Sequence, residues 1–393
     1  MNKLTVKDID LKNKTVIMRA DFNVPLNDNL NITDDTRITA ALPTIEYILK
    51  QGAKKLILIS HLGRPKGKVN ERERLNPIAK RLEELLKEPV EKLSDCIGPE
   101  VKDKIDKTDT RIVLLENLRF YKEEEENDPK FAKELASLAD IYVNDAFGTA
   151  HRAHASTEGI TKYLPSVAGF LLEKEINYLG KTLENPARPF VVILGGAKVS
   201  DKIGVIENLL KKANKIIIGG GMAYTFLKTQ GKEIGKSKLE ADKLQVAKDI
   251  LINAKKSNVE ILLPIDNICI KEIKAEAEIT PSGENIPKDL IAVDIGPLTI
   301  KKFNDALKDA KTIVWNGPMG IFEMDRYSTG TKEIAMFISK LKATTIIGGG
   351  DTAAAVAKFG LEDKMTHIST GGGASLEFLE GITLPGIAAL QDK

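Results

Sequence analysis

Basic side chains and glycines are divided between the two halves of this sequence, and both sets follow short apolar runs. In the first half, Arg19-Ala20-Asp21-Phe22-Asn23 follows one run and His61-Leu62-Gly63-Arg64 a second. Asn117-Leu118-Arg119 follows a third, and Asn144-Asp145-Ala146-Phe147 a fourth, continuing into His151-Arg152-Ala153-His154. Arg37 stands in Asp34-Asp35-Thr36-Arg37, at an expected helix start. A guanidinium is a planar fork that binds phosphate or carboxylate in bidentate fashion. If the runs are parallel strands, their carboxyl ends share one edge. Arg37, His61, Arg64, Arg119 and Arg152 would converge there as a small-anion site. His151 and His154 are expected to be structural.

The second half carries three glycine triplets, Gly219–Gly221, Gly348–Gly350 and Gly371–Gly373, each after an apolar run. A fourth glycine turn is Gly195-Gly196-Ala197-Lys198-Val199-Ser200-Asp201-Lys202. Strand, glycines, then helix is the arrangement that brings bare backbone N–H groups to a phosphate. Lys198 and Lys202 are four apart and are expected on one face of a helix start, with an anion between them and the glycine amides. Asp351, next to the second triplet, stands where a Mg2+ ligand would sit beside bound phosphates. It fits equally the position of a helix N-cap, and Thr352 could share either duty. A polyanion bound on this half alone is the reading.

The elements that must hold these residues alternate regularly. Apolar runs at 15–18, 56–60, 112–115 and 141–144, then 190–194, 215–218, 259–263, 312–315, 344–347 and 367–370, read as parallel strands, apolar on both faces. Amphipathic stretches at 77–86, 130–138, 201–212 and 238–254 read as helices between them. The fold class is α/β: two doubly wound, parallel-sheet, Rossmann-like domains joined by a helical hinge. The expected domains are 1–172 and 173–374, with 375–393 packing back on the first. The run Glu123–Glu126 reads as a solvated acidic face near a helix start.

At 393 residues the chain suits two domains, and 42% apolar with 29% charged content is that of a globular protein. A net charge of +2 and 5% aromatics give no general field or stacking platform for nucleic acid. No apolar run approaches the roughly 20 residues needed to span a bilayer. The start, Met1-Asn2-Lys3-Leu4-Thr5, has no apolar signal core, and a reducing cytoplasm is expected. Cys96 and Cys269, the two cysteines, read as inert. Metal-ligand spacing of His and acids, a Gly-x-Ser-x-Gly elbow, a Gly-x-Gly-x-x-Gly fingerprint and a Walker A motif are all absent. A two-domain dehydrogenase therefore loses its main support. A two-lobed anion-binding protein stays open, though it would not need Lys198, Lys202 and Asp351 together.

The ordered segments Arg19–Pro25, His61–Pro65, Leu115–Phe120, Asn144–Gly148, His151–His154, Gly195–Val199, Trp315–Gly320, Gly348–Thr352 and Ser369–Ser375 resemble those of phosphoglycerate kinases over nearly the whole chain. The resemblance implies reversible, glycolytic phosphoryl transfer between ATP and the carboxylate of 3-phosphoglycerate, with 1,3-bisphosphoglycerate and ADP as the other pair. It implies an acceptor-binding first domain and a Mg-nucleotide-binding second domain, in a cytoplasmic monomer. Asp21 and Asn23 would bond the glycerate, while Arg37, His61, Arg64, Arg119 and Arg152 hold its phosphate and carboxylate. Lys198 and Lys202 would contact nucleotide phosphates, and Asp351 would bind Mg2+ beside the turn Gly349-Gly350-Asp351-Thr352. Glu323 would bind the ribose, Gly219 and Gly220 would make room for adenine, and Asn316 would lie near the nucleotide. Gly373 would stand near the transferring phosphate as the domains close. Ala292 departs from the family pattern, where glycine is expected, and bears on the fit around the base. A carboxylate nucleophile is already ionised at neutral pH, so no general base is needed.

Overall fold

The apolar runs form two six-stranded parallel sheets in a computed structural model that describes residues 2–393. The first sheet contains β1 (Thr15–Arg19), β2 (Lys55–Ile59), β3 (Val90–Lys92), β4 (Ile112–Leu114), β5 (Ile141–Asn144) and β6 (Ser166–Ala168). Its order is β3-β4-β2-β1-β5-β6. Every residue of β2, β4 and β5 is buried, because helices cover both faces. In the helix Thr36–Lys50, the residues Ile38, Ala41, Ile45, Ile48 and Leu49 form the buried stripe that packs on this sheet.

The second unit contributes β7 (Phe190–Leu194), β8 (Lys215–Ile218), β9 (Glu260–Leu262), β10 (Asp266–Ile270), β11 (Thr280–Gly283), β12 (Ile291–Ile295), β13 (Thr312–Asn316), β14 (Thr344–Gly348) and β15 (His367–Ile368). The parallel sheet runs β15-β14-β13-β7-β8-β9, so the order reverses between β7 and β13. A crevice at the carboxyl end of such a switch point is where open α/β sheets bind ligands. Three strands, β11-β10-β12, form an antiparallel sheet that the sequence reading did not anticipate. It closes over a small core of Ile270, Val293 and Tyr327.

The chain divides into residues 1–177 with 383–393, and residues 178–382. Both boundaries differ from those expected, 172/173 and 374/375. The helix Phe170–Glu175 runs on through a π turn, Ile176–Lys181, so the change of unit falls inside a helical run. The helix Gly373–Leu379 belongs to the second unit, where Asn208 donates to the Leu379 carbonyl (2.8 Å). Only the last segment joins the first unit, through a Lys3–Asp392 bridge and a Leu4 N–H to Gln391 O bond of 2.9 Å.

One capping device appears in both units. Asp145, after β5, accepts from the N–H groups of Leu171 and Leu172 at the start of the helix Phe170–Glu175. Asp266, opening β10, accepts from Leu298 and Thr299 at the start of the helix Pro297–Leu307. In each case a glycine precedes the helix, and a Cβ there would lie 2.2 Å (Gly169) or 2.3 Å (Gly296) from an Asp oxygen. The carboxylates satisfy donors that no intrahelical partner reaches. Asp266→Ala is expected to lower unfolding free energy by about 1–3 kcal/mol in urea titrations. Unchanged stability would remove the capping role.

Asp294 is buried and accepts from Ile295 N–H (2.9 Å) and Gly330 N–H (2.7 Å). Burial outweighs these bonds and pushes its carboxyl up to about 7. In the unfolded chain it titrates at about 3.9. The folded chain therefore holds this proton more tightly, and the group's contribution to stability falls as pH rises through that window. From pH 5 to pH 8, the stability of Asp294→Asn relative to wild type should shift in the variant's favour by about 1–3 kcal/mol. A parallel pH dependence of the two proteins would refute this assignment.

Candidate functional site

Loops at the carboxyl edge of the first sheet bring most of the expected basic residues together. Arg37, in the first turn of its helix, pairs with Asp21 at 2.5 Å. Asp21 also accepts from Asn23 N–H (3.2 Å), and the Asn23 side-chain oxygen accepts from Gly63 N–H (2.9 Å). The Gly63 carbonyl accepts from Arg119 (3.2 Å). Gly63 has φ +65°, a left-handed conformation that glycine adopts without strain. Loops after β1, β2 and β4 are thus tied into one surface.

The electrostatics agree with convergence. His61 is held well below its ordinary value by burial, then by the charges of Arg19, Arg119 and Arg37, and is neutral. His154 is pushed down to about 3 by burial, then by Arg119, Arg19 and Arg152. Arg119, also buried, is pushed down to about 10 by burial, then by Arg19, with Glu125 and Glu124 opposing. Arg152 is exposed, its Nε 3.3 Å from His151 Nε2. Arg64 is exposed as well, and its N–H donates to Glu73 (2.9 Å).

Two residues of this cluster escaped the sequence reading. Arg19 is fully buried beneath it, and its place at the end of a strand leading into Asp21 was the available signal. Glu124 corrects the expectation of a solvated acidic run. Its side chain is fully buried and accepts from both Ser156 Oγ (2.5 Å) and Ser156 N–H (2.9 Å). Burial raises its carboxyl, against the pull of Arg19 and the Ser156 bonds.

In the second unit the site is made of backbone. Gly195, after β7, and Gly317, after β13, approach so closely that a Cβ on Gly195 would lie 2.1 Å from the Pro318 carbonyl. Gly220, with φ +64°, would place a Cβ 2.6 Å from Gly196 N. Bonds from Gly196 N–H to Pro318 O (3.1 Å) and Gly220 N–H to Met319 O (3.0 Å) lock these turns. The Cβ position of Gly219 is taken by Met319. Beside the turns lies a pocket of about 340 Å³, lined by Gly220, Gly221, Tyr224, Ala292, Met319, Glu323 and Asp351 among others. Gly220, Glu323 and Asp351 were expected site residues, and Ala292 is the noted departure. Lys238 also lines the pocket and had no sequence signal.

Lys202 is sunk beside this region. It donates to the Asn316 side-chain oxygen, and burial lowers its ammonium, opposed by Asp201, Asp351 and Glu380. Asn316 lies against Gly349, whose Cβ would meet its amide at 3.1 Å. Gly349, not Asp351, takes the N-cap position of the helix Gly350–Lys358, with φ +85°. Asp351 is exposed in the first turn, and the buried Thr352 accepts from Gly317 N–H (2.6 Å). The expected helix start at 201 also needs correction. The helix is Ile203–Leu209, so Lys198 and Lys202 precede it and share no helix face. Lys198 is exposed in a loop that Glu240 pins, accepting from Val199 N–H, Ser200 N–H (3.2 Å) and Ser200 Oγ (2.6 Å). Gly373 opens the helix Gly373–Leu379 and is outside the pocket lining. Cys96 and Cys269 are buried free thiols, Cys96 pushed well up by burial.

Comparison with known proteins is consistent across the chain. The sequence model described as phosphoglycerate kinase matches residues 6–382. A phosphoglycerate kinase of Dictyoglomus turgidum is 59% identical, covering 99% of this chain and 98% of that protein. One of Koribacter versatilis is 57% identical with 100% of each covered. The solved phosphoglycerate kinase of Coxiella burnetii superposes with a TM-score of 0.90 at 42% identity, over 98% of each chain. That of Pyrococcus horikoshii gives 0.81 at 33%, again over 98% of each. By sequence and by fold, the chain belongs to the phosphoglycerate kinase family.

Proposed function

We propose that the chain catalyses reversible phosphoryl transfer between ATP and the carboxylate of 3-phosphoglycerate, forming 1,3-bisphosphoglycerate and ADP. The observation that carries the reading is the basic surface in which Arg37 pairs with Asp21, Arg119 is tied through Gly63 to Asn23, and Arg152 lies near Arg119, with His61 neutral among them. It pairs several forked donors with a neutral histidine and suits a small acid that bears both phosphate and carboxylate. The first unit takes this acceptor. The dehydrogenase and solute-binding alternatives lose their ground with family membership.

The second unit takes the nucleotide. The apolar pocket with Ala292 and Met319 suits a base, with Glu323 placed for a ribose and the glycine turns for phosphates. Lys202 and Lys198 offset phosphate charge. Asp351 is a single exposed carboxylate in the first turn of a helix, and one carboxylate plus phosphate oxygens is a donor set that Mg2+ accepts. When bound, Mg2+ supplies charge neutralisation at the nucleotide phosphates. Acceptor and donor must meet for transfer, so closure of the two units belongs to this reading and would exclude water. The chain is read as a monomer working in the cytoplasm. Among the described residues no helix is long and apolar enough to cross a membrane.

No proton need leave the attacking carboxylate, so catalysis reduces to placement and charge stabilisation. Arg37 is the residue on the acceptor side assigned to the transferring group. In a coupled assay of ATP-dependent 3-phosphoglycerate phosphorylation, Arg37→Ala is expected to lower kcat by about 10²–10³-fold, with ATP affinity near wild type. Normal turnover in that variant would sink the role. Absence of the activity in the wild-type protein would sink the whole assignment.

A further inference from the structure

We propose that a buried relay, Glu124–Ser156–Arg19, fixes the proton of His61 on Nε2 and holds the Arg119 and Arg152 segments in register. Glu124 and Ser156 would then be positioning residues for the phosphorylated acid. The proposal rests on the reading of the basic cluster as the acceptor site.

Every member of the relay is fully buried, and each link is a hydrogen bond. Arg19 Nε donates to Ser156 Oγ (3.0 Å), and Ser156 Oγ donates to Glu124 Oε1 (2.5 Å). Ser156 N–H donates to Glu124 Oε2 (2.9 Å). At the other end, the second guanidinium nitrogen of Arg19 lies 3.0 Å from His61 Nδ1. A guanidinium has donors only, so Nδ1 must accept. His61 is neutral, because burial and three neighbouring arginines oppose a ring charge. A neutral ring that accepts at Nδ1 carries its proton at Nε2. His61 is thereby left with one N–H donor for an anionic oxygen, in one tautomer.

The same carboxylate joins two basic segments. Glu124 lies in the helix Lys122–Glu125, directly after the turn Leu118–Phe120 that bears Arg119. Ser156 lies four residues beyond Arg152, and Ala155 N–H donates to the Glu124 carbonyl (2.9 Å). Three hydrogen bonds thus tie the segments at residues 124, 155 and 156. The other partners of Arg19, which are the Ala20 carbonyl, Ser60 Oγ and His61, are all neutral. Without Glu124 the buried guanidinium would lack an opposing charge within the relay.

The test combines kinetics with nitrogen NMR on 15N-histidine-labelled protein at pH 7, His61 being assigned from the spectrum of His61→Gln. Wild type should show a protonated Nε2 and a bare Nδ1 on His61, and added 3-phosphoglycerate should shift the Nε2 signal. Glu124→Gln, and the milder Ser156→Ala, should raise KM for 3-phosphoglycerate about tenfold or more, as loss of a charge-linked hydrogen bond implies. KM for ATP should stay within about twofold. Both variants should show His61 as a mixture of tautomers. A retained Nε2–H tautomer with unchanged KM for 3-phosphoglycerate in both variants would overturn the relay. So would a rise in KM for both substrates alike, which marks general damage. If 3-phosphoglycerate leaves the wild-type His61 signals unmoved, the acceptor-site reading fails, and the relay's role falls with it. That outcome needs no variant, so the two failures are distinguishable.

Discussion

Positive charge held out of water is the constraint around which the first unit is arranged. Arg19 is fully buried and Arg119 nearly so, and each depresses its basic neighbours. A buried cation is tolerated when paired and hydrogen-bonded, and is costly otherwise. The chain meets that demand only in part. Asp21 faces Arg37, Glu125 lies 3.4 Å from Arg119 Nε, and Glu124 reaches Arg19 through Ser156. The two histidines are kept neutral and add no charge. A surface so compensated still favours an incoming anion. On the proposed acceptor-site reading, its specificity would follow from fixed forks and one oriented N–H donor, which match phosphate and carboxylate oxygens better than a mobile cation would.

The turns of the second unit's candidate site are built of main chain, and their constraint is space. Turns after β7, β8 and β13 come within van der Waals range of one another, so Gly195, Gly220 and Gly317 leave no room for a Cβ. Positive φ at Gly220, Gly317 and Gly349 would be strained for any other residue type there. Charge is then added sparingly. Lys202 lies against Asn316 and under the influence of Asp351, and Lys198 stays exposed in a loop held by Glu240. Lys198 is exposed, while Lys202 is held by its amide partner Asn316.

The parallel strands were legible because helix-covered strands are apolar on both faces, and β7 shows this without exception, while β2 does so after its opening Lys55. Residues that directly follow such strands inherit a known edge, which is why Arg119, His61 and the glycine turns could be named in advance. What escaped depends on distant contacts. The edge strands Val90–Lys92 and Ser166–Ala168 have three residues each, too few for a periodic signal. The antiparallel sheet needs the small core around Tyr327, which no local pattern reveals. Glu124 looks like its solvated neighbours until Ser156, over thirty positions away, supplies the partners that allow its burial. Asp351 fits an N-cap by sequence, but Gly349 takes that position, because only the backbone dihedral separates the two readings.

The capping carboxylates Asp145 and Asp266 show how the scaffold is kept separate from the chemistry. Each fixes the start of one helix through two N–H groups and a glycine too tight for a side chain. The halves nonetheless share no visible sequence repeat. Backbone geometry at a helix start asks only for an acceptor of the right reach. The loops between such fixed points carry arginine on the first unit and tightly packed glycine on the second. Arginine is the economical choice for a small acid, whose few oxygens must be counted and oriented. Glycine suits a polyphosphate, which needs many donors along a stretch of close backbone and a pocket alongside for the base. On the function proposed above, the unequal distribution of the two residue types along the chain would follow from the chemistry of two different ligands.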